Sequence, residues 1–160
     1  MKKILLLSGL FLAIAGGSLS ARDLTGIGIY GNFLAGTSDN SGGLGLTLKY
    51  GHFPVLGAEF NFTSQTGNIG LSCDYWVINS SLTGVLWYYL GVGLYGGMGI
   101  SPNHFTGDFG LRIPIGLQIW PVEKLEIFGE LAPRIAFIQE NSVGINWGGF
   151  SLRVGLRVHF

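Results

Sequence analysis

The feature that most constrains this chain is an alternation of apolar and polar residues with a period of two, returning eight times between turn-like segments. That period belongs to a β-strand, whose successive side chains point to opposite faces. Ile27, Ile29 and Phe33 alternate with Gly28, Tyr30 and Asn32, then Leu44, Leu46 and Leu48 with Gly45, Thr47 and Lys49. Leu56, Ala58 and Phe60 alternate with Gly57, Glu59 and Asn61, and Ile69, Leu71 and Cys73 with Gly70, Ser72 and Asp74. A fifth segment sets Tyr88, Leu90, Val92, Leu94 and Met98 against Gly91, Gly93, Gly97 and Gly99. Residues 75–107 carry no charge, yet these interior glycines, each weakening a helix by about 1 kcal/mol, argue against a membrane helix there. The sixth segment, residues 109–119, opposes Leu111, Ile113, Ile115 and Leu117 to Asp108, Arg112 and Gln118. The seventh opposes Leu125, Ile127, Leu131 and Ile135 to Glu126, Glu130 and Arg134, and the eighth opposes Phe150, Leu152, Val154, Leu156, Val158 and Phe160 to Ser151, Arg153, Arg157 and His159.

An even number of strands of this length predicts an all-β fold, a closed eight-stranded antiparallel transmembrane β-barrel, because closure removes the unpaired edges of an open sheet. A soluble lipocalin-like barrel has the same alternation turned inside out, with apolar residues inward. The charges decide between them. The polar faces carry Lys49, Arg112, Arg134, Arg153 and Arg157 against Glu59, Asp74, Asp108, Glu126 and Glu130, while the apolar faces carry none. Balanced charges among small residues suit an enclosed interior in which ions neutralise one another. Only 11% of the chain is charged, against about 25% in soluble domains, too little for an ordinary water-exposed surface. The formal net charge is zero, so nucleic acid is not an expected partner. The single cysteine, Cys73, shares the apolar parity of Leu71, and the three histidines lack metal-ligand spacing. No cofactor and no metal are expected.

Two further signals place the chain in a cell. Residues 1–21 have the charged start (Lys2, Lys3), the apolar stretch and the small-residue end of a cleaved secretory signal, leaving residues 22–160 as the barrel. Tyr50, Phe53, Tyr75, Trp76, Trp87, Tyr88, Trp120 and Phe160 gather near one set of strand ends, as expected of rings at a membrane interface. The connections there, near residues 52–54, 79–84 and 120–124, are expected to face the periplasm with both termini. Those at residues 35–42, 64–67, 101–107 and 139–146 would face outside.

The final segment, Phe150-Ser-Leu-Arg-Val-Gly-Leu-Arg-Val-His-Phe160, resembles the C-terminal assembly signal of bacterial outer-membrane barrels, a terminal aromatic preceded by apolar residues at alternate positions. With the signal segment and the strand count, the chain is similar to small barrels of the OmpX, OmpW and OmpA-membrane-domain type. Residues 111–133, with Pro114, Trp120, Pro121 and Pro133, resemble a strand, turn and strand of small predicted barrels, including spirochaetal ones. The resemblance implies outer-membrane lipids as surroundings, the barrel-assembly machinery as a partner in biogenesis, and a monomer. Phe150, Leu152, Val154, Leu156, Val158 and Phe160 would be the residues that machinery recognises.

Among candidate sites, His104 and Thr106 with Glu140 form the nearest approach to the His and Ser of lipid A-modifying barrels, but Thr stands where Ser is needed. His52 and His159 are expected at the interface. Pro114 and Pro133 each remove a ladder donor, which calls for a local bulge, or else a lateral opening. Glu126 and Glu130 should lie within one or two positions of Arg157 and Arg153 and pair with them rather than act as catalytic carboxylates. The expected function is therefore a non-catalytic outer-membrane protein with a membrane-structural or surface-interaction role, its loops open to an extracellular or host ligand. A narrow channel for small or hydrophobic solutes is the alternative, and a lipid A-modifying enzyme the third.

Overall fold

The computed structural model describes residues 25–36, 40–62, 67–101, 104–139 and 142–160. The expected signal segment, residues 1–21, lies outside them. Among the described residues nine strands form one antiparallel sheet: β1 (Gly26–Ala35), β2 (Ser41–Lys49), β3 (Val55–Phe62), β4 (Gly67–Thr83), β5 (Leu86–Ser101), β6 (His104–Arg112), β7 (Ile115–Val122), β8 (Leu125–Gln139) and β9 (Ser142–His159). Strands β6 and β7 run end to end between β5 and β8 as one stave, and β1 pairs with both β2 and β9, so the ring closes on eight staves. The fold is thus the closed antiparallel barrel that the alternation predicts.

Each stave keeps its two faces apart. Ile27, Ile29, Leu44, Leu46, Phe60, Leu71, Leu94, Leu117, Val154 and Val158 are exposed on the outside, while Tyr30, Lys49, Glu59, Asp74, Arg112, Glu130 and Arg157 are buried within. An outer wall of this kind is stable only against hydrocarbon, because exposing each large apolar side chain to water costs about 1.5–3 kcal/mol relative to burial.

Glycines on the inward parity make the narrow interior habitable. Tyr30 lies across Gly45, its pair on β2, and Tyr89 across Gly116 on β7; Glu59 does the same over Gly70 and Asp108 over Gly97. A Cβ on Gly45 would fall 2.3 Å from the Tyr30 ring, and one on Gly70 would fall 2.7 Å from Glu59 Cγ. The same arrangement lines the closing seam, where Gly26 faces His159 and Gly28 faces Arg157.

The single sixth strand expected over residues 109–119 is instead two strands, broken at Ile113 and Pro114. Proline has no N–H to give the ladder, so the ring is maintained through carbonyls: Gly91 N–H donates to Pro114 O (2.8 Å) and Ile113 N–H to Pro133 O (3.0 Å). The two prolines therefore meet at one height, and β8 is irregular between Pro133 and Ile135. Three segments expected as connections are also strand. Residues 79–83 continue β4, residues 104–107 begin β6, and residues 142–146 begin β9, each held by its neighbour's ladder. The ladder shifts register after Trp76 in β4 and, in β9, between the Pro133–Phe150 and Ile135–Trp147 pairs. Gly149 adopts φ 81°, and its α-carbon approaches β1 so closely that a Cβ would meet Ala35 O at 2.2 Å. There the outward parity changes from Phe150 and Leu152 to Trp147, Ile145 and Val143.

Candidate functional site

The interior is where this chain concentrates its chemistry, because the alternation sends every strand charge there. Its end near the termini is organised by Glu126 on β8. Arg157, directly opposite on β9, places Nη1 2.5 Å from Oε1, while Gln118 Nε2 donates to the same oxygen at 3.1 Å. His159 Nε2 lies 2.7 Å from Oε2, and Lys49 Nζ lies 3.9 Å from it. The Lys49 ammonium also sits 4.5 Å above the Trp76 ring and 5.7 Å from that of Trp120, within the range of cation–π attraction. Trp120 in turn packs against the His159 ring at 4.7 Å.

An aromatic layer follows. Trp76 stacks on Tyr89 with ring centroids 4.1 Å apart, and the Arg157 guanidinium lies 3.9 Å from the Phe128 ring centroid while donating to Thr47 Oγ1 at 3.1 Å. Above it the second carboxylate node, Glu130, is shared by Arg112 and Arg153, the latter at 3.6 Å, and accepts a hydrogen bond from Tyr89 OH at 2.9 Å. Arg112 continues to Asp74 (3.0 Å), and Arg153 to Glu59 (2.8 Å) and Ser72 Oγ (3.1 Å). The chain Asp74–Arg112–Glu130–Arg153–Glu59 thus crosses from β4 through β6, β8 and β9 to β3, with charge alternating at every step. Paired in this way, each ion offsets part of the several kcal/mol that its removal from water costs.

The remaining pair, Arg134 and Asp108, lies toward the far mouth at 2.8 Å, with the guanidinium 3.6 Å above the Tyr95 ring. Asp108 is its solvated member, with 36% of its side-chain surface exposed. Between β1 and β3, Asn32 donates to Asn61 Oδ1 at 2.9 Å.

All ten residues of the polar-face charge set therefore point inward, and four of the five ion-paired carboxylates are deeply buried. Glu126 and Glu130 face Arg157 and Arg153 in direct register. The aromatic reading needs correction at Trp120, while Trp76, like Tyr30 and Phe128, fills the interior as its inward parity leads one to expect. Trp120 is an interior side chain, not an interface ring, because it follows Gln118 by two residues and shares its inward parity. Two residues beyond Arg157, His159 is interior for the same reason and belongs to the Glu126 cluster rather than to the interface. Tyr89 and Tyr95 were not singled out by sequence; their parity with Gly91 and Gly93 was the signal. Tyr50, Phe53, Tyr75 and Phe160 are exposed on the outer wall near the termini. Cys73 also lies on the outer wall, half-buried. The His104 side chain and Glu140 lie outside the described residues.

No family model matches the sequence, and no curated protein matches it either. Two solved structures share the fold. The crystal structure of Neisserial surface protein A (NspA) is similar with a TM-score of 0.52 and 12% identity, covering 85% of this chain and 96% of that one. The N-terminal β-barrel domain of Pseudomonas aeruginosa OprF is similar with a TM-score of 0.56 and 14% identity, covering 88% of this chain and all of that domain. Both are eight-stranded outer-membrane barrels, and at these identities the likeness is one of fold.

Proposed function

We propose that this protein is a non-catalytic integral outer-membrane barrel whose interior is plugged by its own side chains, and that it serves a membrane-structural or surface-interaction role. The observation that carries this reading is the burial of Lys49, Trp76, Tyr89, Gln118 and Glu126, each with no measurable exposure, across the end of the barrel near the termini. Eight strands enclose a space that side chains can fill, whereas water-filled porins need 16 to 18 strands. The two carboxylate nodes tie these side chains to five staves. In this reading residues 1–21 direct secretion, both termini are periplasmic, and the barrel works as a monomer. The test is solute uptake. Liposomes containing the refolded protein should exclude small hydrophilic sugars as well as empty liposomes do, and sugar-dependent swelling would replace the plug with the narrow-channel reading.

The terminal strand also carries a prediction. Phe160 is 73% exposed on the outer wall, and its backbone N–H donates to Thr25 O at 3.0 Å. A ring so placed contributes little packing within the protein, which suits recognition of Phe150, Leu152, Val154, Leu156, Val158 and Phe160 by the assembly machinery. Deleting Phe160 should sharply reduce membrane-assembled protein in cells while leaving refolding yield in detergent micelles nearly unchanged. Equal losses in both settings would mean that Phe160 acts through packing alone.

A further inference from the structure

Between its rows of outward side chains the wall carries two apolar grooves. The larger, about 580 Å³, is lined by Leu46, Leu56, Ala58, Cys73, Leu94 and Gly96. It runs across the strands, because Leu46 pairs with Ala58, Ala58 with Leu71 and Leu71 with Gly96. The smaller, about 520 Å³, lies between Val154, Ile29, Leu44 and Phe60, with Gly31 in register between Val154 and Leu44. Gly31, Ala58 and Gly96 give the grooves their depth, since each puts a methyl group or nothing where its neighbours put a leucine or isoleucine. Leu46, 56% exposed, lines both and forms the ridge between them. No charged side chain lines either groove.

The wall around them is stable only against hydrocarbon, so their occupant is apolar and comes from the bilayer. A second barrel does not fit: its own wall is convex, and it would meet Leu44, 71% exposed, and Leu46 before reaching Gly31 behind them. An acyl chain is thin and flexible enough to lie in either groove. Strands of such barrels tilt by about 35–45°, so a groove running across them slopes about 45–55° from the membrane normal, a path that a chain can follow. All chains in a bilayer are equally apolar, and no hydrophobic gain selects one part of the wall over another. Van der Waals contact does, because a chain in a groove touches protein on three sides rather than one. Two grooves flanking one leucine match the two chains of one lipid. Once the first chain is seated, the second binds as an intramolecular event, and the two affinities reinforce each other.

We infer that this face of the barrel holds one two-chain membrane lipid, its acyl chains straddling Leu46 in the grooves floored by Gly31 and by Ala58 and Gly96. This gives the membrane-structural role a ligand and rests on that reading. The protein, refolded into nanodiscs of phosphatidylethanolamine and phosphatidylglycerol in equal parts and released into mild detergent, should retain one phospholipid per barrel in native mass spectrometry. Single-chain lysophosphatidylethanolamine, offered at the same concentration, should be retained about tenfold less or weaker still, because it fills one groove only. Gly31→Leu and Gly96→Leu each fill one groove from within. A Cβ at these positions comes no nearer than 3.9 Å and 3.7 Å to other atoms, so the unfolding midpoint should stay unchanged while retention falls about tenfold. Gly129→Leu, outward but lining neither groove, should retain the lipid as the unaltered protein does. Undiminished retention in both groove variants, an equal loss in Gly129→Leu, or lysolipid held as firmly as the two-chain lipid would each overturn the inference. A barrel that needs detergent yet retains no lipid overturns this site alone, whereas a barrel monodisperse in plain buffer overturns the membrane reading with it.

Discussion

Glu130→Gln should lower the unfolding free energy of the barrel by about 3 kcal/mol, the lower end of the range for breaking a buried ion pair by removing one partner. Glu130 joins Arg112 and Arg153 and accepts from Tyr89 OH. Glutamine keeps the volume but offers one acceptor in place of a charged pair of oxygens, and its amide group points donors at donors. The effect stays near 3 kcal/mol because Arg112 retains Asp74 and Arg153 retains Glu59. Asp108→Asn is the matched comparison. Its ion pair with Arg134 opens to solvent, so its loss should cost less than about 1 kcal/mol. Urea unfolding in detergent reads both. Equal small shifts would mean that water reaches the Glu130 layer.

A second large effect is expected from Gly116→Val, about 3 kcal/mol. A Cβ on Gly116 would lie 2.3–2.5 Å from the Tyr89 ring and hydroxyl. Tyr89 has nowhere to go, since it is fully buried, stacked on Trp76 and bonded to Glu130. Overpacking of this kind costs about 1–3 kcal/mol, and displacing the hydroxyl from a carboxylate adds about 1.5–3. Gly129→Val, on the outward parity of β8 with nothing within 4 Å of its Cβ, should shift stability by no more than about 0.5 kcal/mol. Unfolding followed by tryptophan emission separates the two. A Gly116 variant as stable as Gly129→Val would mean that Tyr89 is not fixed against the wall.

Parity made most of the barrel legible before any coordinates, because one-residue slips would carry Arg112 or Glu130 into hydrocarbon. It also identified the inward charge set. What sequence obscured has two physical sources. Trp120 and His159 follow the general habit of amphipathic rings at interfaces, although their two-residue spacing from Gln118 and Arg157 puts them inside. The strand extensions at residues 79–83 and 142–146 are rich in Ser, Asn and Gly, which locally favour turns. They become strand through hydrogen bonds from β5 and β8, a tertiary effect with no local trace. Pro114 and Pro133 point from sequence to an irregularity at a similar height in neighbouring staves, but not to Pro133 supplying the carbonyl that Ile113 N–H meets.

The central claim, that buried side chains close this barrel, is tested most directly by the ionic current across planar bilayers holding the refolded protein. The account predicts a silent membrane at salt concentrations that reveal narrow pores, since Lys49, Trp76, Gln118 and Glu126 leave no measurable exposed surface at one end. Reproducible single-channel steps that grow with salt and disappear with refolding-defective protein would contradict it.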